Sequence, residues 1–240
     1  MAKRELNKIE KQLISLYKKN NLGLCEICTK CKANKSFYKA VGCWFVGDFF
    51  DGDESRRILF VGKNARGNPG SEYPENQNKD GFLEEFNYSR ECLWCKSWAY
   101  WSYTREICER LFPKKGMESV AFTNMVKCND SPTKDTTDQF TKDCCIKELG
   151  IIRKEIEIIN PTHIVFYTSY YYDEWISSLF DNSFYMGSSR ITIGKKRMPY
   201  AEFECTIGNK QMHALRVGHP ERMKREEFIT RIVDWVNGTV

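Results

Sequence analysis

The stretch Arg56-Arg57-Ile58-Leu59-Phe60-Val61-Gly62-Lys63-Asn64-Ala65-Arg66-Gly67 predicts the centre of the fold. Its apolar run from Ile58 to Val61 is unbroken, which is typical of a strand buried on both faces of a parallel sheet. We expect a glycine-rich polar loop to follow, over residues 62–70. Ligands of open α/β sheets bind outside the carboxyl ends of the strands, so this loop is a candidate site by position. A plain surface turn that uses glycine for its backbone freedom is the alternative.

Composition describes an ordinary soluble globule of 240 residues, with 41% hydrophobic residues and a net charge of +5. That length suits one domain, and the mild positive charge permits a nucleic-acid partner without requiring one. No apolar run approaches the roughly 20 residues that span a bilayer, and no secretory signal is recognisable. We therefore expect a cytoplasmic protein with no membrane partner. In a reducing compartment the 11 cysteines indicate metal or cluster ligands before disulfides.

Periodicity predicts alternating strands and helices along the chain. Strands are expected at Ile58–Val61, Ser119–Thr123 and His163–Phe166, followed by a hairpin of residues 201–207 and 210–217 around Gly208-Asn209. Helices are expected at residues 3–19, 100–112, 138–159, 173–179 and 222–236. The order predicts a three-layer α/β/α fold with a mostly parallel central sheet. We expect a single domain over residues 1–240, with a helix and cysteine-rich segment at 1–45 and an insertion at 68–98.

Cysteines cluster upstream of the first predicted strand, where Cys25, Cys28 and Cys31 form two overlapping C-x-x-C units. This spacing brings two thiolates to one ion or cluster, and chance clustering of buried thiols is the alternative. Cys92 and Cys95 form a further pair within an aromatic-rich stretch. The aromatic residues there are interpreted as helix packing, with base stacking as the alternative.

Four motifs occur in order along the chain, three of them at the predicted strands and one near the end. They are VGKNARG (61–67), TNMVKC (123–128), INPTHIVFY (159–167) and GHPER (218–222). Together they resemble the uracil-DNA glycosylase superfamily, and specifically its branch that contains an iron-sulfur cluster. Cys128 is followed by 15 residues and then Cys144, which matches the C-x15-C spacing of that branch. The resemblance covers most of residues 25–236.

The resemblance implies a [4Fe-4S] cluster bound by Cys28, Cys31, Cys128 and Cys144. Cys25 with Cys28 is an alternative upstream pair, Cys145 is an alternative to Cys144, and zinc is an alternative to the cluster. Such a cluster would close a loop of about a hundred residues, so its expected role is structural. Cys92 and Cys95 either hold a second ion or are packed thiols.

The same resemblance assigns catalytic roles to Asn64, which would orient a water, and His219, which would donate a hydrogen bond to the departing base. It assigns base reading to Asn124, whose amide offers both a donor and an acceptor. The other residues expected at the base are Gly62, Lys63, Ala65, Arg66 and Phe82, with Tyr73 as the next choice after Phe82. The residues expected to meet DNA, with Met223 filling the vacated stack, are Arg222, Met223, Lys224 and Arg225. His163 and His213 are expected to be structural.

The first motif departs from the family pattern. Cluster-containing members usually carry Pro-Gly where this chain has Ala65-Arg66, and Lys63 replaces an acidic residue common in the main branch. The resemblance therefore implies a monomeric DNA glycosylase that excises uracil or a modified pyrimidine, in DNA repair or in defence against viral DNA. A catalytically silent cluster-containing nucleic-acid binder and a redox protein are the alternatives. A lyase that uses Lys63 as a Schiff-base nucleophile is a further one.

Overall fold

The computed structural model describes residues 5–20, 45–53, 55–64, 90, 96–127, 137–182, 189–221 and 223–239. The helices in these parts of the chain are α1 (Lys8–Lys19), α2 (Ala99–Leu111), α3 (Gln139–Lys142), α4 (Ile151–Ile159), α5 (Asp173–Ser177) and α6 (Arg225–Asn237). The strands are β1 (Phe45–Val46), β2 (Ile58–Asn64), β3 (Val120–Val126), β4 (His163–Phe166), β5 (Arg190–Ile193), β6 (Lys196–Ile207) and β7 (Lys210–Val217). No helix among the described residues is both long and apolar enough to cross a membrane.

Seven of these strands form one mixed sheet in the order β1-β3-β2-β4-β7-β6-β5. The four central strands, β3, β2, β4 and β7, are parallel to one another. The outer strands β1, β6 and β5 pair antiparallel to their neighbours. The expectation of an α/β fold with a mostly parallel central sheet is confirmed for this core of the molecule.

Strand β2 lies between β3 and β4, and both of its faces are buried. Leu59 and Val61 pack into one apolar cluster, which also contains side chains of α1 and α4. Ile58 and Phe60 pack into a second cluster, which contains side chains of α2 and α6. Side chains alternate between the faces of a strand, so an unbroken apolar run is what a strand buried on both faces needs.

The expected loop at 62–70 begins later than predicted, because Gly62, Lys63 and Asn64 continue strand β2. Gly62 pairs with Asn124 and Asn64 pairs with Val126, so the ladder with β3 carries on past the apolar run. Strand β3 likewise extends to Val126, beyond the Thr123 that was predicted. Polar residues therefore lie within these strands and not in a turn.

The helix expected over residues 138–159 is interrupted. Its first part is α3 followed by a π-helical segment at Asp143–Glu148, and α4 begins only after Gly150. Gly150 has φ +59°, a left-handed conformation that a continuous helix does not allow and that glycine adopts readily. Helix α1 also starts later than residue 3, at a capping box made by Asn7 and Glu10. Helix α6 starts at Arg225 rather than 222.

Other boundaries were predicted closely. Strand β4 spans His163–Phe166 as expected, and α2 lies within one residue of its expected limits. Gly208, with φ +58°, forms the turn between β6 and β7. The insertion expected at 68–98 falls largely outside the described residues.

A buried polar network joins α1, β3 and α4. The Lys127 Nζ donates to Glu155 Oε2 at 2.5 Å, to Thr123 Oγ1 at 2.6 Å and to the Asn124 carbonyl oxygen at 2.6 Å. Glu155 also accepts from the Tyr17 hydroxyl at 2.7 Å and from Thr123 Oγ1 at 2.7 Å. All of these side chains lie in the interior, so the Lys127–Glu155 pair is fully desolvated. A desolvated ion pair persists only where such additional hydrogen bonds complete it.

We expect Glu155→Leu to destabilise the protein by about 3–5 kcal/mol, because it leaves the Lys127 ammonium buried without its counter-ion. The double variant Lys127→Met/Glu155→Leu removes both charges and should recover part of that loss. Urea unfolding followed by circular dichroism measures both values. A double variant as unstable as Glu155→Leu alone would contradict this account of the network.

Two histidines lie close together at the amino-terminal edge of the parallel strands. His163 in β4 pairs with His213 in β7, and their ring centroids are 5.5 Å apart. The Trp235 ring packs edge-on against His163 at 5.4 Å. Burial, together with the nearby His213 and Arg56, lowers the pKa of His163 from its ordinary 6.5 to about 4. His163 is therefore neutral in the folded protein at neutral pH.

This pKa predicts a loss of stability on acidification. Between pH 6.5 and 4 the unfolded chain binds a proton at His163 and the folded chain does not, so stability that is complete above pH 6.5 falls as the pH is lowered. Because His163 is only partly buried, we expect wild type to lose about 1–2 kcal/mol relative to His163→Gln between pH 7 and pH 4. Urea titrations of both proteins at each pH measure this difference. A difference that stays constant with pH would show that His163 does not titrate as described.

Candidate functional site at the carboxyl edge of the sheet

The parallel strands β3, β2, β4 and β7 all end at one edge of the sheet, and polar residues gather there. Asn124 lies in β3, Gly62 and Asn64 lie at the end of β2, and His219 follows β7 by two residues. The sheet register sets Gly62 directly opposite Asn124. Residues that are distant in the sequence thus meet at this edge, as expected for an open α/β sheet.

Gly62 makes room for two polar side chains. A Cβ atom built on Gly62 would overlap both the Asn124 Oδ1 and the hydroxyl oxygen of Tyr100. Tyr100 belongs to the first turn of α2, which packs over this face of the sheet. Only glycine at position 62 lets the Asn124 amide and the Tyr100 phenol approach the backbone of β2 so closely.

Tyr100 connects Asn124 to His219. The rings of Tyr100 and His219 are stacked, with centroids 5.2 Å apart and an angle of 23° between their planes. Tyr167 packs edge-on against Tyr100 at 5.4 Å. Burial and the neighbouring Tyr167 raise the pKa of Tyr100 well above its ordinary value, so its phenol stays protonated. Tyr100 therefore provides a neutral surface that holds the His219 imidazole in a fixed plane.

The tautomer of His219 follows from its backbone contact. The Glu221 backbone N–H donates to His219 Nδ1 at 3.2 Å. A backbone N–H can only donate, so Nδ1 is the accepting nitrogen and the neutral ring carries its proton on Nε2. The Glu221 carboxylate lies farther from Nδ1, at 3.9 Å. His219, whose side chain is 31% exposed, is thus arranged to donate a hydrogen bond from Nε2.

The Asn124 amide is nearly inaccessible, at 4% exposure. The backbone carbonyl oxygen of Asn124 accepts a hydrogen bond from Lys127 Nζ, as part of the network that joins α1, β3 and α4. Its side-chain Nδ2 is buried and has no hydrogen-bond partner among the residues that the structure describes. A buried amide donor without a partner costs about 1–3 kcal/mol. A buried donor of this kind at the carboxyl edge of a parallel sheet is a candidate contact for a ligand that accepts a hydrogen bond.

Asn64 and Lys63 lie on different faces of the sheet. Asn64 is two residues beyond Gly62, so it shares the face that carries Gly62, and it is buried at 8% exposure. Lys63 is on the opposite face. Burial lowers the pKa of Lys142 there, and the positive charge of Lys63 adds a smaller lowering. The structure brings Gly62, Asn64, Asn124 and His219 to one face and does not bring Lys63 to it.

The predicted DNA-contacting segment is described only in part. Met223 packs against the second apolar cluster, and its carbonyl oxygen accepts from the Tyr103 hydroxyl at 3.1 Å. Lys224 forms an ion pair with Glu227, and Arg225 forms one with Glu106 at 2.7 Å. These cations are already paired with carboxylates of the same chain, so an external anion would compete with those carboxylates.

The predicted metal ligands are also described only in part. Cys144 is buried in the π-helical segment, which packs beside β3. Its neighbour Cys145 belongs to the first apolar cluster, whereas Cys144 belongs to neither cluster. The described residues contain no group of three or more possible metal ligands. The predicted site residues that lie outside the described ranges are Cys28, Cys31, Ala65, Arg66, Phe82, Cys128 and Arg222.

Sequence reasoning missed two residues of this edge. Tyr100 belongs to the aromatic-rich stretch that is interpreted as helix packing, and nothing in its local spacing distinguishes it from Trp101. Arg216 lies within the hairpin strand predicted at residues 210–217, yet it is fully buried, with Nη2 3.0 Å from Asp173 Oδ2. Burial raises the pKa of Asp173, while Arg216 acts in the opposite direction. A buried arginine near the end of a parallel strand is a signal that periodicity alone does not reveal.

No model of a known family matches the chain, and no curated protein matches it.

Gly62→Ala should destabilise the protein by about 1–3 kcal/mol, because the new methyl group forces the Asn124 amide or the Tyr100 phenol to move. Gly52→Ala is the matched control, since a Cβ there meets nothing within 4 Å. Thermal unfolding of both variants measures the difference. Equal stability of the two variants would show that the space beside Gly62 is not occupied as described.

Proposed function

We propose that the protein is a DNA glycosylase, which binds a base flipped out of DNA at the carboxyl edge of the sheet and hydrolyses its N-glycosidic bond. The product is an abasic site. The base is uracil or a modified pyrimidine, in DNA repair or in defence against viral DNA. An N-glycosidic bond is unreachable inside the base stack, so the target nucleotide has to be extruded first.

The observation that carries the proposal is the buried Asn124 amide, whose Nδ2 has no partner among the described residues. A pyrimidine edge presents both hydrogen-bond acceptors and donors, and one amide can satisfy one of each. Gly62 lets the Asn124 amide approach strand β2 closely, and Lys127 holds the Asn124 backbone in place. Together these features support a pocket that reads a planar, polar base.

His219 would act on the leaving base. As the glycosidic bond breaks, the bonding electron pair moves to the base, and negative charge develops on its oxygen. The His219 Nε2–H would donate to that oxygen, with the ring held by Tyr100 and by the Glu221 backbone. Donors fixed in advance toward developing charge are effective because they need no reorganisation during the reaction.

Asn64 would position the attacking water. Its amide oxygen is too weak a base to deprotonate water but can accept a hydrogen bond from it and so orient it. The water attacks the sugar carbon as that carbon acquires oxocarbenium character, by analogy with other glycosyl cleavages, and the proton that it releases passes through solvent to the departed anionic base. The shared face of Gly62, Asn64, Asn124 and His219 supports one pocket for all these steps.

We further propose that Cys28, Cys31, Cys128 and Cys144 hold a [4Fe-4S] cluster with a structural role, with zinc as the alternative. The burial of Cys144 outside both apolar clusters suits a ligand better than the core position of Cys145. The cluster would fix the N-terminal segment to the middle of the chain. The three-layer glycosylase-like arrangement, a monomeric state and a cytoplasmic location belong to the same proposal.

Incubation with oligonucleotides that carry uracil or modified cytosines, followed by alkali, reveals abasic sites as strand breaks. We expect His219→Ala to lower the excision rate about 10²–10³-fold, as the loss of one donor to a developing charge does elsewhere. Asn124→Ala should lower it similarly. His213→Ala is the matched control, because His213 is 56% exposed and lies at the opposite edge of the sheet.

The outcomes separate the proposal from its alternatives. Wild type that binds DNA but excises no base would favour the silent nucleic-acid binder. A loss of folding in His219→Ala, rather than of rate alone, would mean that this histidine is structural. A colourless protein that contains stoichiometric zinc would show that the cysteines bind a zinc ion and not an iron-sulfur cluster.

A further inference from the structure

Two adjacent tyrosines are exposed at the carboxyl edge of the sheet. Tyr170 and Tyr171 are 42% and 59% exposed, whereas the next residue, Tyr172, is buried. They lie in the short helical segment Ser169–Tyr172 that follows β4. Ser169 has φ +57°, an uncommon conformation for a residue with a side chain. This turn sends Tyr172 into the core and leaves its two predecessors on the surface.

The two exposed rings form a unit. The Tyr170 hydroxyl donates to the Tyr171 hydroxyl at 3.1 Å, and the ring centroids are 4.3 Å apart. The Arg190 guanidinium lies 5.7 Å from the centroid of the Tyr170 ring. We call Tyr170, Tyr171 and Arg190 the tyrosine platform. It combines exposed aromatic faces with a positive charge, which are the two features that bind single-stranded nucleic acid.

The tyrosine platform lies at the same edge as the candidate pocket. Strand β4 is parallel to β2, so Tyr170 and Tyr171 leave the sheet at the edge where β2 ends at Asn64. Arg190 pairs with Pro199 in β6, and Pro199 in turn lies against Gly218, the residue before His219. The platform therefore lies at the same edge of the sheet as the pocket, after β4 and beside the β5–β6 pair.

We infer that Tyr170 and Tyr171 stack on unpaired DNA bases next to the extruded one, while Arg190 contacts the phosphate backbone. The inference rests on the proposed function and specifies its substrate as single-stranded DNA. In a duplex the faces of neighbouring bases are covered by one another, so two exposed tyrosines have no base face to meet. Stacking on an aromatic side chain is tolerant of sequence and contributes about 1–3 kcal/mol per base.

Fluorescence anisotropy with a dye-labelled oligo-dT strand tests the platform without any excisable base. We expect Tyr170→Ser/Tyr171→Ser to raise the Kd for this strand about tenfold or more, from the loss of stacking. Tyr170→Phe/Tyr171→Phe keeps both rings and should bind within about twofold of wild type. Arg190→Ala should lower the slope of log Kd against log salt concentration by the amount expected for the loss of about one phosphate contact.

A matched control lies at the opposite edge. Phe49 is 45% exposed and carries a cation over its ring, with Lys115 Nζ 3.5 Å from the centroid. Its backbone N–H donates to the Glu118 carbonyl oxygen, just before β3 begins, which is the amino-terminal edge of the parallel strands. Phe49→Ser removes an equally exposed aromatic ring, and we expect the Kd for oligo-dT to stay unchanged.

Each outcome decides the inference separately from the proposed activity. Unchanged oligo-dT binding in the folded serine variant, or no oligo-dT binding by wild type, overturns the platform even if bases are excised. A weakened serine variant supports the platform even if wild type excises no base. An equal loss of affinity in Phe49→Ser, or an equal loss for a matched duplex, overturns it as well. If the double variant fails to fold, Tyr171→Ser alone gives the same test, because Tyr171 is the more exposed ring.

Discussion

The buried ion pair between Lys127 and Glu155 is the interaction on which the rest of this structure depends. It takes two charges out of water and repays that cost only because Tyr17, Thr123 and the Asn124 carbonyl complete the hydrogen bonding around it. The pair joins three elements that are far apart in the sequence, since Tyr17 is in α1, Lys127 follows β3 and Glu155 is in α4. It also fixes the backbone of Asn124, whose side-chain amide faces the candidate pocket.

The two edges of the parallel sheet differ in what they do. Side chains at the amino-terminal edge pack, whereas those at the carboxyl edge form the candidate site. At the amino-terminal edge His163 is neutral and packed against Trp235. At the carboxyl edge polar groups are held by rings and backbone atoms rather than by apolar burial alone, as for His219 between Tyr100 and the Glu221 N–H. The proposed excision chemistry requires fixed donors of this kind, and the exposed Tyr170 and Tyr171 extend the same edge outward.

Sequence patterns predicted those parts of the fold where local and tertiary preferences agree. The limits of β4 and the turn at Gly208 follow from apolar alternation and turn chemistry. The continuation of β2 through Asn64 was missed because polar residues at a strand end look like a loop, and only pairing with β3 decides the matter. Asn124 and His219 were located by their motifs. Tyr100 was not, because its role arises from the approach of α2 to Gly62, which no short-range pattern encodes.

Helix α1 has a consequence for where this domain begins. Its Tyr17 is completely buried and supplies a hydrogen bond to a carboxylate in the interior, and Leu13 beside it is buried as well. The amino-terminal helix is therefore an inner wall of the domain and not an appendage. A shortened chain that starts after Asn20 would lose the hydrogen bond from Tyr17 to Glu155 and the apolar contacts of Leu13 with the first cluster. The minimal folding unit has to include residues 8–19.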